Sequence, residues 1–152
     1  MTNHFTDKKI LVGGGSSGIG EATARAFAEA GAHVTIASRN LSKLKSAASR
    51  IGHHTETAIL DTADDSAVQR FFSESGGFDH VVVSAAQTPT GPVRELPLDD
   101  AHQAMNSKFW GAYRVARHVQ INEGGSLTFV SGFLSVRPST PVLQGAINAA
   151  LE

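Results

Sequence analysis

An apolar segment runs directly into a glycine-rich stretch at residues 11–20, which are Leu-Val-Gly-Gly-Gly-Ser-Ser-Gly-Ile-Gly. Glycine has no Cβ atom, so the backbone there can adopt positive φ angles and approach a bulky anion closely. The residues that follow have helical periodicity, and the start of a helix presents unpaired N–H groups and the positive end of its dipole. This combination predicts a turn from a strand into a helix that holds the pyrophosphate of a dinucleotide.

A P-loop is the main alternative for such a turn. That motif requires a lysine directly after its last glycine, where the side chain reaches the β- and γ-phosphates. Here Glu21 follows Gly20, and the next lysine is Lys43. The sequence therefore excludes a P-loop.

Short β-branched runs alternate with longer helical patterns along the chain. The patterns predict strands at residues 9–12, 34–37, 57–60, 78–84 and 126–131, and helices at 19–30, 41–51, 64–72, 98–120 and 142–152. Regular alternation of this kind predicts an α/β fold, with a doubly wound, Rossmann-like parallel sheet and helices on both faces. In such a sheet the ligand binds at the carboxyl ends of the strands.

Length and composition are those of an ordinary soluble domain. The 152 residues fit a single dinucleotide-binding domain at 1–152, and the net charge of −1 gives no reason to expect nucleic acid or a membrane surface as a partner. The absence of cysteine excludes disulfides and thiolate chemistry. The paired His53 and His54 have no carboxylate partners nearby in sequence, so no metal site is predicted.

The two ends of the chain carry further expectations. No signal peptide or apolar membrane span is evident, so a cytoplasmic protein is predicted. The last helical segment has no Gly, Pro or basic residue to end it, and we therefore expect the natural chain to continue past Glu152.

The residues after the second predicted strand favour NADP over NAD. A carboxylate usually meets the free ribose 2′-hydroxyl at this point, but residues 36–40 contain none. Arg39 instead offers a fork of charged donors to a 2′-phosphate, and Ser16, Ser17, Ser38 and Asn40 could add neutral donors. An ordinary exposed charge is the alternative interpretation of Arg39.

Five stretches occur in the order found in a known family. Gly14, Gly18 and Gly20, with Ile19 between the last two, form a wide glycine spacing. Asp61-Thr62, Ser84-Ala85-Ala86-Gln87, Asn106 and Val130-Ser131-Gly132 follow it. Together these motifs resemble the short-chain dehydrogenase/reductase family, and the resemblance spans the chain from the first strand to the last helix.

The resemblance implies hydride transfer between a nicotinamide cofactor and a small carbonyl or alcohol substrate. It implies that Ser131 hydrogen-bonds the substrate oxygen, that Asn106 is an active-site residue, and that Asp61 contacts the adenine. It also implies a homodimer or homotetramer that pairs through the helical region at 98–120 and the last helix. The predicted cofactor-binding residues are Gly14, Ser16, Ser17, Gly18, Ile19, Gly20, Ser38, Arg39, Asn40, Asp61, Thr62, Ser84, Ala85 and Ala86.

The chain departs from the family at its acid–base pair, a Tyr with a Lys four residues later. The only tyrosine is Tyr113 and the last lysine is Lys108, which we interpret as a solvated helix position, with a replacement active-site cation as the alternative. Alignment of residues 145–148 with the start of the family's corresponding helix places Thr140 at the Tyr position and Gln144 at the Lys position. The pKa of an aliphatic hydroxyl is too high for it to replace the phenol as an acid.

Three explanations of this departure stay open. The protein is an NADP-dependent oxidoreductase whose proton comes from another group, or it is a catalytically silent NADP(H)-binding or regulatory protein. The third is that residues are missing around 135–141 and after 152.

The helical pattern at 98–120 also carries an expectation for Arg114. It predicts that this side chain lies on a solvated or interface face.

Overall fold

A computed structural model describes residues 4–152, so the first three residues of the predicted domain lie outside the described part. The strands are β1 (Lys9–Gly13), β2 (His33–Ser38), β3 (Glu56–Ile59), β4 (Phe78–Val83) and β5 (Ile121–Phe129). The helices are α1 (Gly18–Glu29), α2 (Leu41–Ile51), α3 (Asp65–Ser75), α4 (Leu98–Met105), α5 (Gly111–His118) and α6 (Val142–Leu151). A π-helical turn at Asn106–Trp110 joins α4 to α5, and a 3-10 turn at Phe133–Ser135 follows β5.

The five strands form one parallel sheet in the order β3-β2-β1-β4-β5. The chain builds outward from β1 to β3 and then returns to place β4 on the other side of β1. The direction of winding therefore reverses between β1 and β4, and a ligand crevice opens there at the carboxyl ends of the strands. The predicted doubly wound, Rossmann-like fold is confirmed.

Strand β1 is buried on both faces because a hydrophobic cluster lies on each side of the sheet. Ile10 and Val12 point into a cluster with residues of β2, α1 and α2. Leu11 points the opposite way, into a cluster that includes Phe72 and Val81. The uninterrupted apolar sequence of this strand follows from its central place in the sheet.

Two helices begin with side-chain caps and end at glycines. Asn40 Oδ1 accepts a hydrogen bond of 2.9 Å from Lys43 N at the start of α2. Asp64 Oδ1 accepts one of 3.1 Å from Ala67 N at the start of α3. Each cap satisfies a backbone donor that the helix leaves unpaired, which fixes where these two helices start beside the sheet.

The structure differs from the prediction in two segments. Strand β5 begins at Ile121 rather than at residue 126, and its pairing with β4 shifts register between Phe78 and His80. The residues at this bulge are polar and glycine-rich. Their sequence therefore lacks the apolar pattern by which a strand is predicted. The helical region at 98–120 is not one helix, because the π-helical turn interrupts it.

None of the helices within residues 4–152 combines the length and the apolar character needed to cross a bilayer.

Packing of α2 against the sheet generates a stability prediction. Leu44 is 0% exposed, whereas Leu41 on the same helix is 42% exposed. Leu44→Ala is expected to lower the free energy of unfolding by about 3 kcal/mol, because it leaves a cavity in the first cluster. Leu41→Ala serves as the control and should cost less than about 1 kcal/mol. Urea denaturation monitored by circular dichroism measures both, and equal losses would contradict the packing described here.

Candidate functional site

Backbone hydrogen bonds join the strands just beyond their carboxyl ends and shape the floor of the crevice. Ser84 N donates to Gly13 O at 2.9 Å, and Gly14 N donates to Ala37 O at 2.8 Å. The turns after β1, β2 and β4 are thereby held in register with one another. Residues from all three turns face the same space.

The glycine turn lets α1 approach β1 and β4 at a distance that no side chain permits. Gly14 has a φ of +81°, and a Cβ atom there would lie 2.7 Å from Ala85 N. A Cβ atom on Gly20 would lie 2.2 Å from Gly14 O. Both positions therefore require glycine, and the bare backbone and the start of α1 suit the pyrophosphate of a dinucleotide.

A cleft with a volume of about 510 Å³ opens over this turn. Its lining residues are Gly14, Ser16, Ser17, Ile19, Gly20, Ser38, Arg39, Lys43, Leu60, Asp61, Thr62, Ala63, Ser84, Ala85, Ala86, Gln87, Gln103, Asn106 and Ser107. A smaller recess adjoins it, lined by Ser16, Ser38, Arg39, Asn40 and Lys43.

Most of the predicted cofactor-binding residues line this cleft, and Asn106 lines it with them. Asn40 lines only the adjoining recess, where its side chain also caps α2. Gly18 and Ser131 are not among the lining residues of the cleft. The sequence prediction missed six residues of the wall: Lys43, Leu60, Ala63, Gln87, Gln103 and Ser107.

Two cations, Arg39 and Lys43, line both the cleft and the adjoining recess. Arg39 follows β2, and Lys43 lies in the first turn of α2, where a positive charge faces the positive end of the helix dipole. That placement is unfavourable unless an anion lies nearby. The position of Lys43, one turn into the helix that follows Arg39, was the signal that could have identified it.

The π-helical turn directs consecutive side chains toward different parts of the molecule. Asn106 Oδ1 accepts a hydrogen bond of 2.8 Å from Arg114 Nη2 on α5. Ser107 Oγ accepts one of 2.7 Å from Gln87 N in the segment after β4. Arg114 also donates to Thr62 O at 3.3 Å, so it is partly buried and tethers Asn106 rather than occupying the predicted solvated or interface face.

Lys108 reaches from this turn to the last helix. Its Nζ lies 2.5 Å from Oδ1 of Asn148, which is 2% exposed. Partial burial lowers the pKa of the Lys108 ammonium group, because burial disfavours its charged form. The interpretation of Lys108 as a solvated helix position was therefore wrong.

Ser131 lies just beyond β5 and contacts α6. Its Oγ is 3.1 Å from Asn148 O and 2.8 Å from Glu152 Oε1, and a hydroxyl with one hydrogen can donate to only one of them at a time. Ser135 Oγ donates to the same carboxylate oxygen at 2.7 Å. Hydrogen bonds from Ser135 and then Ser131 lower the pKa of Glu152.

The start of α6 corrects the predicted counterparts of the family's Tyr and Lys. Residues four apart share a face only within a helix. Thr140 precedes α6 and is exposed, so it cannot pair with Gln144 in this way. Gln144 and Asn148 lie within α6 one turn apart, and both side chains are neutral amides.

The model of the short chain dehydrogenase family matches residues 8–141. The chain belongs to the short chain dehydrogenase family. The resemblance inferred from the glycine spacing and the four later motifs is confirmed.

Two curated oxidoreductases are similar to this chain. An uncharacterized oxidoreductase of Bacillus subtilis (strain 168) is 33% identical over 146 residues, which are 87% of this chain and 21% of the relative. The glucose 1-dehydrogenase of Gluconobacter oxydans (strain 621H) is 34% identical over 125 residues, which are 77% of this chain and 47% of the relative. The chain spans less than half the length of these two relatives.

A solved structure shows the same architecture. The crystal structure of a short chain dehydrogenase from Burkholderia cenocepacia J2315 in complex with NADP matches with a TM-score of 0.86 and 28% identity. The match covers 97% of this chain and 65% of that chain. The bound NADP is an observation on the Burkholderia cenocepacia protein.

The close approach at Gly20 generates a second prediction. Gly20→Ala is expected to lower the free energy of unfolding by about 2 kcal/mol, because the new methyl group overlaps backbone rather than a movable side chain. Gly13→Ala at the end of β1 is the control, since its Cβ atom would meet Val83 Cγ1 at an ordinary 3.6 Å. Thermal and urea unfolding measure the difference. Equal stability of the two variants would show that the approach is looser than described.

Proposed function

We propose that this short-chain dehydrogenase binds NADP(H) in the cleft and serves hydride transfer between the nicotinamide and a carbonyl or alcohol carbon of a small molecule. The observation that carries the proposal is the continuity of the cleft. Its lining includes the glycine cradle, the two cations Arg39 and Lys43, and the polar residues Asn106 and Ser107. An elongated anionic dinucleotide matches that distribution of charge and hydrogen-bonding groups.

The recess at Arg39 supports NADP over NAD. Its lining contains two cations, two serines and Asn40, and it contains no carboxylate to accept from a ribose 2′-hydroxyl. A 2′-phosphate would accept hydrogen bonds from the guanidinium of Arg39, and the positive charge of Lys43 would attract it as well. It would also offset the unfavourable position of Lys43 in the first turn of α2.

The residues along the rest of the cleft fit the other parts of a dinucleotide. We assign Asp61 and Thr62 to the adenine side, since they follow β3 beside the recess. Ser16, Ser17, Gly18, Ile19 and Gly20 would surround the pyrophosphate. Ser84, Ala85 and Ala86 follow β4. They would border the part of the cofactor that extends past the reversal of winding between β1 and β4.

The reacting groups come from the segment after β5 in this proposal. When bound, the cofactor supplies or accepts the hydride. Ser131 would give its one hydroxyl hydrogen to the substrate oxygen, in place of Asn148 O or Glu152 Oε1. Asn106 has its Oδ1 held by Arg114, so its amide N–H groups are the ones available toward the cleft.

A second candidate function is binding of NADP(H) without turnover. Gln144 and Asn148 favour it, because neutral amides stand where the family's acid–base pair is expected. Neither amide can act as a general acid or base near neutral pH. Turnover measurements separate this candidate from the first.

We also propose that copies of the chain pair through the helical region at 98–120. Trp110 is 46% exposed and Tyr113 is 53% exposed, and their rings contact each other at 5.6 Å between centroids. Large aromatic side chains on one exposed face suit a subunit contact.

Arg39 provides the test of cofactor preference. Arg39→Ala is expected to raise the Kd for NADPH about tenfold or more and to leave the Kd for NADH nearly unchanged, because only NADPH carries the 2′-phosphate. Arg70→Ala removes an exposed arginine of α3 and is the control. Isothermal titration with both nucleotides measures the effect, and an equal loss for the two would rule out the 2′-phosphate assignment.

Ser131 provides the test of turnover. An oxidoreductase should oxidise NADPH with some member of a carbonyl panel, and Ser131→Ala should lose about 99% of kcat, since the hydroxyl stabilises charge on the substrate oxygen. Its Kd for NADPH should stay within about twofold of the unchanged chain. Tight NADPH binding with no turnover on any substrate would instead favour the silent candidate.

A further inference from the structure

One arginine side chain joins two segments that line the cleft. Arg114 Nη1 donates to Thr62 O at 3.3 Å and to Asn106 O at 3.4 Å, and Nη2 donates to Asn106 Oδ1 at 2.8 Å. Thr62 and Asn106 both line the cleft, whereas Arg114 does not. Arg114 can therefore act on a ligand only through the residues that it holds.

The Thr62 side of this contact is supported without Arg114. Asp61 Oδ1 accepts a hydrogen bond of 3.0 Å from Ala63 N, which closes the turn around Thr62. The start of α5 also packs on this turn, because a Cβ atom at Gly111 would lie 3.0 Å from Thr62 Oγ1. Arg114 lies three residues further along α5, on the same face of the helix. The turn is therefore a fixed support against which the guanidinium group is held.

The Asn106 side of the contact depends on Arg114. Within residues 4–152, the bond to Arg114 is the only hydrogen bond of the Asn106 side chain. A guanidinium group has donors and no acceptor, so the amide must present its oxygen to it. Both N–H groups of Nδ2 then stay free for a ligand in the cleft. Loss of the guanidinium would let the amide rotate, and the ligand would have to order it again at a cost in affinity.

We propose that Arg114 is a positioning residue for the bound nucleotide. Held against the Thr62 turn, it orients Asn106 so that the amide N–H groups donate to acceptor atoms of the dinucleotide. This inference rests on the proposed binding of NADP(H) in the cleft. It assigns a role in nucleotide binding to a residue of α5 that does not itself touch the ligand.

A double-mutant cycle on NADPH binding tests whether Arg114 acts through Asn106. Arg114→Met and Asn106→Ala are each expected to raise the Kd for NADPH about fivefold, because each removes the oriented amide donors. The double variant should also lose about fivefold rather than about twenty-fivefold, since Arg114 then has nothing left to position. Arg114→Lys should recover part of the affinity, because an ammonium group still donates to Oδ1. Isothermal titration measures all four variants.

Arg117→Met is the matched control, because it removes an exposed arginine from the same helix and should leave the Kd unchanged. If the unaltered chain does not bind NADPH, the proposed function fails and this inference fails with it. If Arg39→Ala raises the Kd and Arg114→Met does not, the inference alone is overturned. A loss of about twenty-fivefold in the double variant would overturn it as well, because Arg114 would then act through the fold rather than through Asn106.

A spectroscopic measurement covers the case in which Arg114→Met does not fold. In the ¹⁵N-labelled unaltered chain, the Asn106 side-chain amide resonance is assigned by its loss in Asn106→Ala. NADPH is expected to shift this resonance, and to shift it less in Arg114→Lys, which keeps the charge but not the planar fork. No shift in the unaltered chain, or an equal shift in the two chains, would show that Arg114 does not position the amide and would overturn the inference.

Discussion

The approach of the α1 backbone to the turn after β1 is the constraint on which the rest of this structure depends. Gly20 and Gly14 meet where a Cβ atom would lie 2.2 Å from a carbonyl oxygen, so the start of α1 lies directly over the reversal point between β1 and β4. A wider separation would move the helix start away from the ends of both strands. The cleft exists because two backbones are in contact there.

The part of the cleft that the sequence could predict is formed by neighbours along the chain. Strand periodicity, the glycine turn and Arg39 after β2 all lie within single βα units, where local patterns determine the structure. The second half of the cleft depends on contacts between distant residues. Lys108 and Asn148 are 40 positions apart, and Ser107 and Gln87 are 20 apart, so no periodic pattern indicates either contact.

The errors in predicting the helical segments share one physical origin, which is the phase of a helix. The alignment of residues 145–148 with the family's helix placed Thr140 and Gln144 at the acid–base positions. Helix α6 begins at Val142, however, and this start determines which of its residues share a face. Similarly, an unbroken helix over 98–120 would have sent Lys108 toward solvent. The π-helical turn changes the direction of every side chain after it, and its sequence contains no Gly or Pro before Gly111 to mark it.

The π-helical turn makes chain length at Asn106–Trp110 as important as the identity of its residues. A turn that closes with i→i+5 hydrogen bonds contains one residue more than the α-helical turn it replaces. Loss of a single residue there would let the turn close as a regular α-helical turn and would leave the faces of α5 unchanged. Insertion of a further residue would rotate α5 by about 100° relative to α4. Arg114 would then move away from Asn106. This segment therefore tolerates the loss of one residue more readily than a further insertion.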